Sequence, residues 1–242
     1  MSVVDPDTNQ VQQTISASGF GPVDQGGPGL AFASGSLWLA STGGQVARVQ
    51  LDEGRRTAIL VGASLSAVVA APDANAVWVV ARTRSGGGLL ARIDAESNNV
   101  VKRIPVPQAP SGLAITPDGR TVWLATGGER AILRIDTLTS DTKRINLKLA
   151  ADQVAFGEGA VWVTSRRSDA VLRINPATSR VQPPIRVGNG PTGIAVDAGQ
   201  VWVANADDGT VSTIDPQSNM VGTMRPEAVA VDQGAVWVAL AA

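Results

Sequence analysis

The sequence predicts an all-β fold, a six-bladed β-propeller with four antiparallel strands in each blade. Three observations predict it. Trp38, Trp78, Trp123, Trp162, Trp202 and Trp237 each stand between apolar residues in the same V/L-W-V/L motif, at steps of 40, 45, 39, 40 and 35 residues. Each period divides into four short β-rich runs punctuated by Gly, Pro, Asn and Asp, which is the pattern of a propeller blade. The chain also starts and stops inside a repeat, and the step from Trp237 through the termini back to Trp38 is 43 residues, another normal period. The repeat therefore closes into a ring.

The repeat that begins at Pro191 shows why each run is a strand. Strand A is read at 193–196, strand B at 201–204, strand C at 211–214 and strand D at 220–224. Between them lie the turn formers Asp197 to Gly199, Asp207 to Gly209 and Asp215-Pro216 to Asn219. There Pro presets φ, Gly accepts positive φ, and Asp or Asn bonds its own turn. The A strands recur at 30–32, 68–70, 113–115, 154–156, 194–196 and 229–231, rich in small residues because six of them crowd the central channel. Gly29, Gly112 and Gly193 at their starts are read as packing residues. The tryptophans of strand B are read as filler between blades rather than as a ligand platform, since no ligand needs six copies. Arg48, Arg92, Arg134 and Arg173 recur on strand C near acids such as Asp94 and Asp136, and are read as structural ion pairs or solvated stems.

The ring is expected to close by exchange of strands. Residues 2–11 align with 212–221 and so supply strands C and D, while 227–238 supply strands A and B with nothing after them. Residues 226–242 plus 1–15 make the sixth blade, and residues 1–242 make one domain. Deletion of 1–15 is expected to destabilise the whole ring. A start in mid-blade also suggests an extracytoplasmic domain excised from a larger bacterial protein, or an engineered or recombined scaffold without a natural ligand.

Composition narrows the chemistry. The chain of 242 residues has 20 basic and 21 acidic residues, a net charge of −1, which gives no bulk attraction to nucleic acid. It has no cysteine, histidine or tyrosine, which removes thiolate chemistry, Cys-ligated zinc and the commonest general base. No apolar run reaches the length of a membrane span. A monomer is expected, and no catalytic constellation is assigned.

The segments PTGIAVDAGQVWVANADDGTVSTIDP, ADQVAFGEGAVWVTSRRSDAVLRINP and PSGLAITPDGRTVWLAT resemble the NHL/YVTN/streptogramin-lyase-like propeller superfamily, over the whole chain. The motifs that carry the resemblance build blades. Members of that superfamily include sensor domains, protein-interaction modules, histidine-dependent lyases and lactonases that hold a divalent cation on Glu, Asn and Asp side chains. Without histidine the lyase chemistry does not transfer. The lactonase pattern implies a loose set in Asp152, Asn205 and Glu227, suited to Ca²⁺ or another divalent cation.

In a propeller the B–C and D–A connections share one face. Most acids fall on the opposite face, whereas Arg82, Arg84, Arg130, Arg166 and Arg167 lie on three neighbouring B–C loops, against Asp207 and Asp208 on the next, with Asn189 on a D–A loop. Arginine forks suit carboxylate or phosphate. The leading expectation is a non-enzymatic binding or sensor module that takes a protein or an anionic small molecule on this face. The alternative is a metal-dependent lactonase- or lyase-like enzyme.

Overall fold

The computed structural model describes residues 29–41, 43–52, 54–62, 64–71, 75–83, 86–106, 110–197 and 199–225, and the backbone alone of Ser2–Val4, Val11–Thr14, Ala228–Asp232 and Ala235–Ala239. The fold is all-β and propeller-like, with a single 3₁₀ turn at Arg166–Ser168 among the described residues. In chain order, β1 (Ser2–Val4) and β2 (Val11–Thr14) form a two-stranded sheet. Five four-stranded antiparallel sheets follow. The first is β3 (Leu30–Ala33), β4 (Ser36–Ala40), β5 (Gln45–Gln50) and β6 (Arg56–Leu60). The second is β7 (Ser64–Ala71), β8 (Ala76–Arg82), β9 (Gly88–Asp94) and β10 (Val100–Val106). The third is β11 (Gly112–Ile115), β12 (Thr121–Ala125), β13 (Ala131–Asp136) and β14 (Thr142–Asn146). The fourth is β15 (Val154–Gly157), β16 (Ala160–Ser165), β17 (Ala170–Ile174) and β18 (Ile185–Arg186). The fifth is β19 (Pro191–Asp197), β20 (Gln200–Asn205), β21 (Thr210–Ile214) and β22 (Val221–Met224). A two-stranded sheet of β23 (Ala228–Asp232) and β24 (Ala235–Ala239) ends the series.

Each four-stranded sheet is a meander in which sequence neighbours pair, and the first strands β3, β7, β11, β15, β19 and β23 pack successively side by side. These are the A strands of the sequence. The described parts of the terminal segments form two two-stranded sheets, β1–β2 and β23–β24.

Tryptophan seals the seams between sheets. Trp38 packs with Leu65, Val68, Val77 and Val79 of the second sheet, and Trp78 with Leu113, Val122 and Leu124 of the third. Trp123 meets Val154, Val161 and Val163 of the fourth, and Trp162 meets Val201 and Val203 of the fifth. All four indoles are at most 2% exposed. Burying each one is a major apolar contribution to the core.

Opposite each of these tryptophans on strand C stands an arginine: Arg48, Arg92, Arg134 and Arg173. The guanidinium groups of Arg48, Arg134 and Arg173 lie 5.1, 5.8 and 5.0 Å from the ring centroids of Trp38, Trp123 and Trp162. The expectation of ion pairing is corrected for Arg48 and Arg173. Arg48 donates to the carbonyl of Ala95 and to Asn98 Oδ1 (3.0 Å). Arg173 donates to Pro216 O (2.5 Å) and Asn219 Oδ1 (3.0 Å). Both acceptors belong to the C–D turn of the following sheet, so the arginine clasps one blade to the next. A planar, always charged fork can cover a ring and reach two neutral acceptors at once.

Those C–D turns repeat one another. Asp136 Oδ1 accepts from the N–H of Leu138 and Thr139, Asn175 Oδ1 from Ala177 and Thr178, and Asp215 Oδ1 from Gln217 and Ser218. Each turn ends on a left-handed residue, Asn98, Ser140, Ser179 or Asn219. Backbone donors hold the carboxyls of Asp136 and Asp215 below their ordinary value, and the Ser97 N–H and hydroxyl do the same for Asp94.

Candidate functional site

The B–C and D–A connections meet on one face, as the propeller reading requires. Gly128 N–H bonds Ala151 O, Ala151 N–H bonds Glu129 O, Val61 N–H bonds Gly44 O, and Asp207 N–H bonds Asn189 O. Strand ends supply the anchors. Ser41, Thr126, Ser165 and Asn205 occupy the same place three residues past their tryptophans, and all four are buried. Ser41 Oγ and Thr126 Oγ1 bond the carbonyls that open strand C, at Gln45 and Ala131. At the starts of the A strands, Ser66 Oγ donates to Pro110 O and Ser111 Oγ to Asp152 O, stitching the second sheet to the third and the third to the fourth. Of these hydroxyls, Ser66 and Ser111 join neighbouring sheets, whereas Ser41 and Thr126 bond within their own.

Between the fourth and fifth sheets the candidate residues converge. The turn at Arg166–Ser168 puts the Arg166 N–H 2.7 Å from Asp152 Oδ2 and its Nη2 2.9 Å from Asp207 Oδ1. Asn189 N–H donates to Asp208 Oδ2 (2.7 Å), and Thr210 Oγ1 donates to Asp208 Oδ1 (2.6 Å). These donors, led by the Asn189 N–H, hold the Asp208 carboxyl below the usual range. Asp169, absent from the sequence reading, accepts the Gly190 N–H at 2.9 Å. Gly190 has φ +65°, and a Cβ there would lie 2.2 Å from the Asp207 carboxyl, so only glycine fits. The signal that could have found Asp169 is its place beside the turn that links the two loops.

Four carboxylates of this seam, Asp152, Asp169, Asp207 and Asp208, therefore each accept a hydrogen bond from the protein itself. Arg82, Arg130 and Arg167 are exposed, and their side chains make no hydrogen bond or ion pair among the described residues. Arg84 and Glu227 lie outside the described residues.

Of the loose cation set, Asp152 and Asn205 are described and both are engaged within the protein. The Asp152 carboxylate caps Arg166, and Asn205 is buried, its Nδ2 donating to Thr210 Oγ1 and Ser212 Oγ at 3.0 Å each, with Oδ1 unpartnered. Among the described residues no group of three His, Cys, Asp or Glu side chains is placed to hold a metal ion.

No protein-family profile matches the chain, and no curated protein sequence does. Among solved structures, Kuenenia stuttgartiensis hydrazine synthase superposes with a TM-score of 0.68 at 20% identity, covering 88% of this chain and 70% of that one. The nidogen/laminin complex superposes with a TM-score of 0.65 at 13% identity, covering 82% of this chain and 80% of that one. Both contain β-propellers. The fold is propeller-like. At such identities the likeness speaks for architecture alone.

Proposed function

We propose that this protein is a six-bladed, non-enzymatic binding module of the NHL/YVTN-like kind, whose B–C/D–A loop face takes an anionic partner, either an anionic small molecule or an acidic protein surface. The observation that carries the reading is the imbalance just described. The acids at the seam are occupied by the protein's own donors, whereas Arg82, Arg130 and Arg167 present guanidinium groups outward. Unengaged forks on one face suit carboxylate or phosphate.

Six blades are supported by the packing of the seams. Each tryptophan of the first four sheets is sealed by the next sheet, but Trp202 is only half-buried, and β23 and β24 lie against β19 on that side. On the first sheet, Phe32 is 60% exposed and Leu37 and Leu39 are half-buried, although their counterparts Phe156, Val161 and Val163 receive Trp123. A sixth blade would fit between these two faces.

A thermal-shift screen of the whole chain against divalent cations, citrate, inorganic phosphate and sugar phosphates tests the functional reading. Anions should raise the melting temperature by mass action, less at high salt, and the effect should disappear in the Arg82→Gln/Arg130→Gln/Arg167→Gln variant. A shift with a cation that is lost on Asp152→Asn would instead favour a metal-dependent activity.

A further inference from the structure

The outer strands of a propeller are sheet edges, and an unguarded edge templates further strands. Most edges here carry guards. β10 contains Lys102, Arg103 and Pro105, β14 contains Lys143 and Arg144, β22 contains Gly222, and β18 has only two residues after Pro183 and Pro184. Past Arg56, β6 reads Thr57-Ala58-Ile59-Leu60, with no charge, proline or glycine.

Its register fixes which backbone groups are free. Gln50 N–H bonds Arg55 O and Val61 N–H bonds Gly44 O, so with the observed pairing Thr57 and Ile59 turn their backbone toward β5. Ala58 and Leu60 turn N–H and C=O away from it, and both residues are exposed, Leu60 by 66%. They border a groove of about 520 Å³ whose far wall is Asn98, Asn99, Val100 and Arg103. Arg103 is exposed and has no hydrogen bond or ion pair among the described residues. Val101, beside it, is 51% exposed.

We propose that the β6 edge and its groove dock an extended acidic peptide segment of another protein. The segment adds as a fifth strand, bonding the outward N–H and C=O of Ala58 and Leu60, and Arg103 receives its carboxylates. Backbone pairing supplies affinity and the groove wall selects the side chains. Charge chooses the partner, because a basic segment would meet Arg103 with like charge. The site is separate from the loop face.

Fluorescence anisotropy with the full chain and two labelled decapeptides, valine alternating with aspartate and valine alternating with lysine, tests this. The aspartate peptide should bind and the lysine peptide should not. Ala58→Pro removes an outward N–H that β5 does not use, and Arg103→Glu reverses the charge. Each should weaken binding about tenfold or more, and the Arg82/Arg130/Arg167 triple variant should leave it unchanged. If Ala58→Pro lowers the melting temperature, a peptide N-methylated at alternate residues carries the same test on the unaltered protein. Failure to bind at millimolar peptide, indifference to the edge changes, or loss in the loop variant would overturn the proposal. So would a dimer in sedimentation that Ala58→Pro dissociates, which would make a second copy the occupant.

Discussion

Replacing Arg173 with glutamine removes the cation over Trp162 and the bonds to Pro216 and Asn219 together. The cost should be about 2 kcal/mol, read from urea unfolding, with lysine restoring only part of it. The repeated arginine was visible in the sequence, but its acceptors were not, because they are a carbonyl and an amide some 43 to 46 residues away. Acids two positions later, Asp94 and Asp136, follow only Arg92 and Arg134, and the same place after Arg173 is Asn175. At the turns the reading was sharper, since Asp and Asn bond their own local backbone. Asp136→Asn should preserve the turn, as Asn175 does natively at the equivalent place, whereas Asp136→Ala should lower the melting temperature. The carboxyls of Asp94, Asp136 and Asp215 sit below their ordinary 3.8 when folded, so the stability they contribute is present above that pH and lost as pH falls through their lower folded values. Urea midpoints measured downward from neutral pH should fall there, and Asp136→Asn should fall less.

Elements follow the repeat wherever local chemistry decides them. The strands read at 193–196, 201–204 and 211–214 appear as β19, β20 and β21, each a residue or more longer, because ladder pairing carries past the apolar run. Tight packing between sheets was legible only in outline. Gly112 was expected to be a packing residue, and a Cβ there would lie 2.9 Å from the Gln153 side chain. Gly157 was not singled out, yet a Cβ there would come within 2.5 Å of Val196 on the next sheet. Gly157→Ala should therefore destabilise by about 1–3 kcal/mol, seen as a shift of the urea midpoint at constant slope. Of the candidate site, the sequence brought Arg166, Asp207, Asp208 and Asn189 to one face. It could not show that Asp152 and Asp169 spend their carboxylates on backbone N–H groups, since such bonds depend on how two loops touch.

At the scale of the whole molecule, the proposed ring would cover two faces, since Trp202 is half-buried and Phe32 is 60% exposed. The six-fold tryptophan period and the split repeat at the termini point to closure, whereas the pairing that would join the termini rests on contacts of the longest sequence separation. Aligning Asp5-Pro6 with Asp215-Pro216 places Val3 opposite Trp237 and Ser2 opposite Val238, by analogy with the β20–β21 register. Closure would also set the spacing of the B–C loops and so the arrangement of the arginines that the functional reading uses. The chain has no cysteine, so Ser2→Cys/Val238→Cys gives an unambiguous readout. Opposed strand residues lie within disulfide reach. Closure predicts a monomeric intramolecular disulfide under mild oxidation and, since it closes nearly the whole chain, a clearly raised melting temperature. Free thiols or intermolecular dimers alone would contradict the six-bladed ring.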